Sequence, residues 1–469
     1  MSSISTSQKR KRINDPVHGA VFLTPLEYKI ATSPAFVRLA NVKQLGLGAF
    51  VFPGATYSRQ EHSMGACHVA GQMLASISHS GVDISDHDYH ITRLAALLHD
   101  LGHYPFSHAT EEAVHLIEGV PALEGSPPTQ EYFTDHEEVG KYIIKNDPHI
   151  SSLLREHGFT ADEIVARLDG ADNTSLNMLV SSDLDCDRLD YLRRTSLHAG
   201  LPYGGVDAEY LIDNLTLDVD GLPCLHSKAI GAADHFLVSR LYDFEQVPFH
   251  KAVVGYEEAL KKTLAAMMRD GALDLSRRAV AGMVADETWR RFDDQTMMGK
   301  IRVFKDEISA SSPSDQVIPF VDCILNRRAP KLVLDFQYLD RQSEESEEKF
   351  DNLAAECSDL ATATYWEFGV DPELTFTWSR SFPMLKGSES GQRIRLLSYG
   401  DRSQRSWPID LAARTLSSKL DGVVLRHFRL YACLNGFPDP KDLRAKIRSR
   451  LSSHVDARGL EFDLLEDQD

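Results

Sequence analysis

The sequence predicts a mainly α-helical protein: an all-helical core with one small β-hairpin, followed by a smaller α+β region. Two observations predict this class. Apolar side chains recur at three- and four-residue spacing through most of the stretch before residue 270, as they do in helices that face a core. Strand-like segments are confined to one hairpin in that stretch and to the mixed region after it. We expect a basic, disordered tail over 1–12, a helical domain over 13–270 and the α+β region over 271–469.

The helical elements follow from local spacing and from helix-ending residues. Residues 88–102 give the strongest pattern and are expected to end at Gly102 and Pro105. A helix over 178–194 is expected to begin near Ser182 or Asp183, which are good N-caps. Further helices are expected over 61–78 and 232–270, and a surface loop over 120–131.

The β-elements and the last helices are predicted in the same way. Residues 215–225 alternate around Asp220-Gly221, which is a hairpin signal. In the C-terminal region we expect strands over 331–339, 374–378 and 393–397, and helices over 409–434 and 439–452.

Composition excludes several classes of protein. The 469 residues are 42% apolar and 25% charged, which is ordinary for a soluble globular protein. Neither a membrane span nor a secretory signal is expected, because no long apolar run is present. Fifty basic and 69 acidic side chains leave a net charge of −19, which disfavours nucleic acid as a partner but permits a small anion in a basic pocket. The six scattered cysteines lack zinc spacing and fit a cytoplasmic protein with buried thiols.

Histidines and carboxylates that could bind a metal lie in one part of the chain: His62, the adjacent pair His99-Asp100, and Asp187. A lone histidine on an apolar helix is more often a core residue than a ligand. The pair His99-Asp100 differs, because unpartnered polar groups are costly at the end of an apolar helix and a metal would partner both. Imidazole and carboxylate ligands suit Mn, Mg, Fe, Co, Ni or Zn, and an open site that activates water or polarises a phosphoryl oxygen.

Three more histidines, His103, His108 and His136, lie close by in the sequence. His103 follows His99 by four residues, so the two share a helix face if the helix continues past Gly102. Glu111 and Glu137 are placed to orient these imidazoles and to raise their basicity.

The chain also resembles a known family. The segments that carry the resemblance occur in the family's order: Ile13–Gly19, Lys43–Gly46, Val51–Ala55, Arg59–Gly65, His99–His108 and Asp187–Tyr191. Together they resemble the HD-domain deoxynucleoside triphosphate triphosphohydrolases over about residues 13–260. The resemblance implies that His62, His99, Asp100 and Asp187 bind the metal. It also implies that His103, His108 and His136 act in catalysis with Glu137 and Glu111, and that the products are a deoxynucleoside and triphosphate.

The same resemblance implies a substrate pocket. Arg59, Arg188 and Arg240 correspond to phosphate-binding positions, Tyr191 to the residue beside the sugar, and Gln44 and Leu45 to positions near the sugar 3′-hydroxyl and the base. For each arginine taken alone, a surface ion pair is the alternative. The chain departs from the family at Thr195, where the family has an Asp, and at Phe244 and Pro248, where it has a His and a Tyr.

The resemblance implies less about regulation and assembly than about the active site. One family activator site is not matched, because Thr32, Val37 and Ala40 replace its nucleotide-binding residues. A neighbouring activator site keeps Asn14, His250 and Lys251. The alternative is that His250-Lys251 begin a helix pair at a subunit contact. A homo-oligomer is expected, as a dimer, tetramer or hexamer, with residues 232–270 as interface and the C-terminal region in a regulatory or oligomerisation role.

The leading hypothesis is therefore a metal-dependent dNTP triphosphohydrolase, with nucleotide activation and antiviral or antiphage nucleotide depletion as extensions. Two alternatives stay open. One is a phosphohydrolase or phosphodiesterase of the same superfamily that acts on another nucleotide or on nucleic acid. The other is a non-catalytic, nucleotide-sensing scaffold.

Overall fold

The protein is mainly α-helical with small sheets, as the sequence predicts. The computed structural model describes residues 10–118, 131–172, 174–308, 313–384, 393–398 and 405–457. The helices are α1 Pro25–Ala31, α2 Pro34–Val37, α3 Arg59–His79, α4 Asp86–Leu98, α5 His108–Glu118, α6 His136–Asn146, α7 Pro148–Glu156, α8 Ala161–Asp169, α9 Cys186–Ala199, α10 Ala208–Asp213, α11 Ile230–Gln246, α12 Lys251–Arg269, α13 Arg277–Ala285, α14 Asp294–Glu307, α15 Ile318–Leu325, α16 Glu344–Glu367, α17 Ser417–Leu420 and α18 Pro440–Ala457. The strands are β1 Lys11–Asp15, β2 Gly19–Leu23, β3 Leu215–Leu217, β4 Pro223–His226, β5 Lys331–Arg341, β6 Thr375–Pro383, β7 Arg395–Leu397, β8 Trp407–Pro408 and β9 Val423–Ala432.

The described residues fall into two compact units. Unit 1 takes its residues from 1–246, 274–299 and 388–419, and unit 2 from 247–273, 300–387 and 420–469. Neither unit is one continuous stretch of chain. The division into domains at 12/13 and 270/271 stays a prediction.

Unit 1 is built around α3, which packs against α4 and α9. Its first turn is fixed by a capping box, because the Ser58 hydroxyl accepts from the Glu61 amide and the Glu61 side chain accepts from the Ser58 amide. Helix α4 ends at Leu98, and His99 occupies its C-cap. The N-terminal turns of α3 and α9 and the C-terminal end of α4 therefore carry the candidate metal ligands.

The predicted hairpin is present in unit 1. Strands β3 and β4 pair antiparallel, and Gly221 takes the positive φ that their turn needs. Strands β7 and β8 extend this sheet in the order β3-β4-β7-β8, while β1 and β2 form a separate two-stranded sheet.

Unit 2 contains an antiparallel sheet in the order β5-β9-β6. One face of this sheet packs on α16 and α18, with Phe336, Phe350, Phe428 and Leu430 in its core. The strands predicted over 331–339 and 374–378 are confirmed as β5 and β6, and the helix over 439–452 as α18.

The helix predicted over 409–434 is wrong, because this segment contains only the short helix α17 and then the central strand β9. This strand was not indicated by the sequence, because Arg426 and Arg429 are charged and yet lie buried in it. In the sheet, Arg426 donates to Ser346 and the Arg429 guanidinium lies 3.2 Å from Asp335, so both are buried with partners. The β-branched and aromatic residues of β9, Val423, Val424, Phe428 and Tyr431, favour a strand that is paired on both sides.

Other boundaries also differ from the prediction. The helix expected over 232–270 is divided into α11 and α12 around Pro248, which has no amide hydrogen to continue a helix. Helix α9 begins later than expected, with Asp185 as its N-cap rather than Ser182 or Asp183. Arg12, predicted in the disordered tail, lies in β1, whereas residues 1–9 and most of the loop predicted over 120–131 lie outside the described residues.

Within the described ranges, no helix combines the length and the apolar character that crossing a membrane requires.

Candidate metal centre and active site

The structure brings the four predicted ligand side chains together in unit 1. The Nε2 atom of His62 lies 3.0 Å from an Asp187 oxygen and 3.7 Å from an Asp100 oxygen. The Nε2 atom of His99 lies 3.3 Å from Asp100 and 3.8 Å from Asp187. Two imidazoles and two carboxylates from three helix ends thus surround one small volume.

The donor set fits a divalent cation. The Nε2 atoms of His62 and His99 are buried and have no hydrogen-bond partner in the described part of the chain. Burial opposes ionisation of Asp100, but Arg59, His99 and His103 hold its pKa well below the usual value. Burial also opposes charge on His62, yet Asp187 and Asp190 raise its pKa to about 10. An anionic field that attracts a proton this strongly also attracts a metal cation.

Hydrogen bonds to the far ring nitrogens orient both histidines. The Nδ1 atom of His62 donates to Asp190 over 2.7 Å, and that of His99 donates to the Ala96 carbonyl over 2.8 Å. In the neutral form that binds a metal, each imidazole therefore has the lone pair of its Nε2 directed at the carboxylates. Sequence reasoning missed Asp190 and its second partner His18, whose Nε2 lies 2.6 Å away. Both belong to segments of the family resemblance, so a signal for them was present.

A second cluster of side chains adjoins the four ligands and is centred on Glu111. His108 donates from Nδ1 to Glu111 over 3.1 Å, and Nδ1 of His136 lies 3.0 Å from the other Glu111 oxygen. His103 stacks on His136 with ring centroids 3.7 Å apart, and its Nε2 lies 3.1 Å from Asp100. The three predicted catalytic histidines and Glu111 are thus brought together, next to a candidate ligand.

The surroundings of this second cluster shift the pKa values of its members in different directions. Although burial opposes it, His136 and His108 hold the pKa of Glu111 well below its usual value. Glu111 raises the pKa of His136 against the effect of burial, whereas burial and Arg59 hold the pKa of His103 well below the usual value. We infer an ionised Glu111 and a neutral His103, and Glu111 favours the protonated form of His136. Since an ionised carboxylate only accepts, His108 carries its proton on Nδ1 and presents Nε2 outward on a side chain that is 68% exposed.

Glu137 is not brought into this cluster. Its side chain is 63% exposed and lies 3.8 Å from Lys141. Consecutive helix residues point in directions about 100° apart, so the neighbour of His136 turns away from Glu111.

Two of the three predicted phosphate-binding arginines lie next to candidate metal ligands, in space or in sequence. Arg59 donates to Asp100 over 2.6 Å and to the Ser107 hydroxyl over 2.9 Å. Arg188, which follows the ligand Asp187, donates to Asp185 and to the Ser182 carbonyl. Arg240 lies farther along unit 1, where its guanidinium is 3.3 Å from Asp183. Each arginine already has a carboxylate partner, so phosphate binding stays a prediction.

The predicted sugar and base contacts occupy two segments of unit 1. Tyr191 and Thr195 follow Asp187 by one and two turns of α9, and the Thr195 hydroxyl lies 2.7 Å from that of Tyr57. Gln44 precedes Leu45 in the loop before α3, and its side-chain oxygen is buried without a described partner. Of the two departures from the family, Phe244 lies in unit 1 beside Arg240, and Pro248 lies in unit 2.

The residues of the predicted activator site fall in different units. Asn14 lies in β1 of unit 1 and pairs with Ala20. His250 and Lys251 lie in unit 2, where His250 caps α12 by accepting from the Ala252 amide over 3.3 Å. Activator binding by these residues stays a prediction.

The loop between α4 and α5 is held by residues that sequence reasoning missed. Phe106 and Ser107 adopt the left-handed conformation, with φ of 59° and 54°, just before His108. Asp294 accepts from the Phe106 amide over 2.9 Å and from the Lys43 amide over 3.0 Å. Asp294 thereby ties the loop that carries His108 to the loop that carries Gln44. No local spacing relates residue 294 to these segments.

Known proteins share this site region. The family model described as HD domain matches residues 59–194. The chain is 46% identical to human deoxynucleoside triphosphate triphosphohydrolase SAMHD1 over 100 residues, which are 21% of this chain and 16% of the human protein. It is 28% identical over 377 residues to the uncharacterized protein YwfO of Bacillus subtilis, 78% of each chain. A solved phosphohydrolase from Bacteroides thetaiotaomicron superposes with a TM-score of 0.68 at 24% identity, over 90% of this chain and all of that one.

Proposed function

We propose that the chain, whose residues 59–194 match the HD-domain family model, is a metal-dependent dNTP triphosphohydrolase that releases a deoxynucleoside and triphosphate. One observation carries the proposal: the four-residue ligand set lies against the histidine cluster, with His103 only 3.1 Å from Asp100. Hydrolysis of a phosphoester needs a site that binds the phosphates next to groups that move protons, and this juxtaposition supplies both.

His62, His99, Asp100 and Asp187 would hold the metal. When bound, a divalent metal polarises a phosphoryl oxygen and lowers the pKa of a bound water. The chain itself fixes the ligands, because Asp190 and the Ala96 carbonyl keep both imidazoles turned inward. Arg59 reduces the excess of negative charge beside Asp100 and favours an incoming phosphate.

The Glu111 cluster would handle protons and charge. His108 presents Nε2 outward while Glu111 holds its Nδ1 proton, so Nε2 can accept or give a proton at the reacting oxygens. Glu111 raises the pKa of His136, and the protonated form of His136 would stabilise the negative charge that develops on the phosphoryl group. The family resemblance assigns His108 to in-line chemistry at the α-phosphorus, and we adopt that assignment here.

The choice of substrate rests on the comparisons and on the pocket. The human relative is named a deoxynucleoside triphosphate triphosphohydrolase, but this chain matches only 16% of its length. Arg59, Arg188 and Arg240 supply cations for a triphosphate, and Tyr191 lies one turn from the ligand Asp187, where it can crowd a ribose 2′-hydroxyl. These features favour a deoxynucleotide.

Regulation and assembly belong to the same proposal. Nucleotide activation through Asn14, His250 and Lys251 and a homo-oligomeric state are supported by the family resemblance alone. Cytoplasmic localisation and a role in nucleotide depletion against viruses or phage likewise stay predictions.

The test is hydrolysis with resolved products. Purified protein with Mn²⁺ or Mg²⁺ is offered the four dNTPs, singly and mixed, and the products are separated by ion-exchange chromatography. We expect deoxynucleoside and triphosphate, and we expect Asp187→Ala to abolish both metal binding and turnover. Asp335→Asn is the control, because it alters a partly buried, ion-paired carboxylate of unit 2. Release of pyrophosphate or orthophosphate, or no turnover in any mixture with metal bound, would contradict the proposal.

A further inference from the structure

A buried polar cluster lies on the side of α9 that also carries Asp187. It consists of Tyr57, Thr195, Tyr203 and Asp243, all of which are buried. The Tyr57 and Thr195 hydroxyls are 2.7 Å apart, and the Tyr203 hydroxyl donates to Oδ1 of Asp243. Neither the metal ligands nor the Glu111 cluster uses these four residues.

Asp243 is the unusual member of this polar cluster. It is only 4% exposed, and its second oxygen, Oδ2, has no hydrogen-bond partner among the described residues. The nearest cation on its own helix, Arg240, is turned to Asp183 instead. Oδ2 is not among the buried atoms without a partner, so it keeps contact with solvent. A largely buried carboxyl with one accessible oxygen is placed to accept a hydrogen bond from a molecule that enters from that side.

The acidity of Asp243 reflects the same environment. Burial raises its pKa to about 7, against the opposing effects of Tyr203 and Arg240. Tyr57 and Tyr191 are the other titratable side chains that sense its charge. Among the described residues no Lys or Arg forms an ion pair with Asp243, and a carboxyl group repels a phosphate, so this side chain is suited to a neutral hydrogen-bond donor.

The polar cluster and the candidate metal ligand Asp187 both involve helix α9, at positions two turns apart. Asp187, Tyr191 and Thr195 are spaced by four residues and share one face of α9. At about 1.5 Å per residue, Thr195 is about 12 Å along the axis from Asp187. A substrate whose phosphates are held near Asp187 would therefore direct its other end toward the polar cluster.

A second unsatisfied acceptor supports this placement. The side-chain oxygen of Gln44 is buried without a described partner, and the Gln44 amide donates to the Tyr57 carbonyl over 3.2 Å. The loop that carries Gln44 thus adjoins the residue that contacts Thr195. Two unsatisfied acceptors from separate segments indicate that the missing partner is a hydrogen-bond donor.

We propose that Asp243, held by Tyr203, is a specificity residue that accepts a hydrogen bond from a hydroxyl or amino group of the nucleoside end of the substrate. This inference rests on the proposed function, since it places the nucleoside of a dNTP in the pocket. Two sources fit the chemistry: the sugar 3′-hydroxyl and an exocyclic amino group of the base.

The experiment compares substrates that lack one donor at a time. The metal-loaded protein is given dATP, 2′,3′-dideoxyATP, which lacks the 3′-hydroxyl, and 2′-deoxynebularine triphosphate, which lacks the amino group. In the native protein we expect kcat/KM to fall about tenfold or more for one of the two analogues. In Asp243→Leu that preference should fall to about twofold or less, and in Asp243→Asn to an intermediate value.

Inhibition by inorganic tripolyphosphate separates this effect from damage to the metal centre. Its inhibition constant should be unchanged in both variants and in the control Asp335→Asn, because tripolyphosphate has no nucleoside. Equal use of all three substrates by the native protein, or undiminished preference in Asp243→Asn, would overturn the proposal. Asp243→Asn keeps the shape of the side chain, so the test stands if Asp243→Leu does not fold.

Failure of the proposed function is recognised separately. If no dNTP is hydrolysed, binding of the same three nucleotides is measured by calorimetry. Preferential binding of dATP that is reduced in Asp243→Asn and lost in Asp243→Leu would support the role of Asp243 without dNTP turnover. Equal binding of the three nucleotides, or no binding of any, would overturn it.

Discussion

Replacing Asp190 by Asn tests whether the metal centre depends on groups behind its ligands. One carboxylate oxygen of Asp190 accepts from His62 over 2.7 Å and from Arg194 over 2.9 Å. The other accepts from His18 over 2.6 Å and from the second arm of Arg194 over 2.7 Å. Asn keeps the size but removes the charge and turns one acceptor into a donor. Its amide nitrogen is best placed toward His18, which can change tautomer and accept.

The magnitude follows from what each partner loses. His62 keeps an acceptor at Nδ1 but loses the charge that raises its basicity, which for such partners weakens metal binding about 10–100-fold, or about 1.4–2.7 kcal/mol. Breaking a buried ion pair costs about 3–5 kcal/mol. Arg194 also pairs with Asp15 at 2.9 Å, so we expect a smaller loss of stability, about 1–3 kcal/mol.

The assay is calorimetric titration of the metal-free protein with Mn²⁺ at fixed pH, with urea unfolding of the same samples. Asp335→Asn is a matched control, because Asp335 is a partly buried carboxylate of unit 2 that accepts from His427 at 2.9 Å and from Arg429 at 3.2 Å. We expect the control to lower stability without changing the Kd for Mn²⁺. A Kd within twofold of native for folded Asp190→Asn would refute the reasoning.

Three further outcomes are expected. In Gly102→Ala the new methyl would meet the His136 carbonyl at 2.1 Å, so we expect a loss of about 3 kcal/mol in thermal unfolding together with most activity. In Asp294→Asn one of two backbone amides, that of Phe106 or that of Lys43, loses its acceptor. We expect kcat to fall while the metal content, measured by elemental analysis, stays unchanged. Because the pKa of Asp243 is raised to about 7, its ionisation destabilises the folded protein as the pH rises from about 4 to 7. In urea unfolding, Asp243→Asn should therefore be more stable than the native protein at pH 8, by up to about 4 kcal/mol. At pH 4 the two proteins should have similar stability.

Much of the helical core was predictable because its signals are local. The apolar stripe before His99 and the N-caps of α3 and α4 depend on neighbours within a few residues. Strand β9 was not predictable in this way. Its Arg426 and Arg429 become acceptable in a buried strand only because Ser346 and Asp335 lie across from them, on segments about 80–95 residues away.

The ligand set was predictable for a related reason. His62, His99, Asp100 and Asp187 each sit in a short segment that resembles a family motif, and the structure brings all four together. Glu137 shows the limit of that reasoning, because adjacency to His136 in sequence places its side chain on another face of α6.

Three aspartates that sequence reasoning missed, Asp190, Asp294 and Asp243, have one physical property in common: each is buried, and its partners come from distant segments. Asp190 joins His18 to His62, and Asp294 joins Lys43 to Phe106. An aspartate costs free energy when it is buried, so its retention indicates that it holds something in place or awaits a donor. For Asp190 and Asp294 the donors are visible, and both act on groups that carry the chemistry. Asp243 is different, because its only described hydrogen bond comes from Tyr203 to Oδ1 and its other oxygen keeps contact with solvent. That accessible oxygen is the one that we propose accepts from the nucleoside end of the substrate.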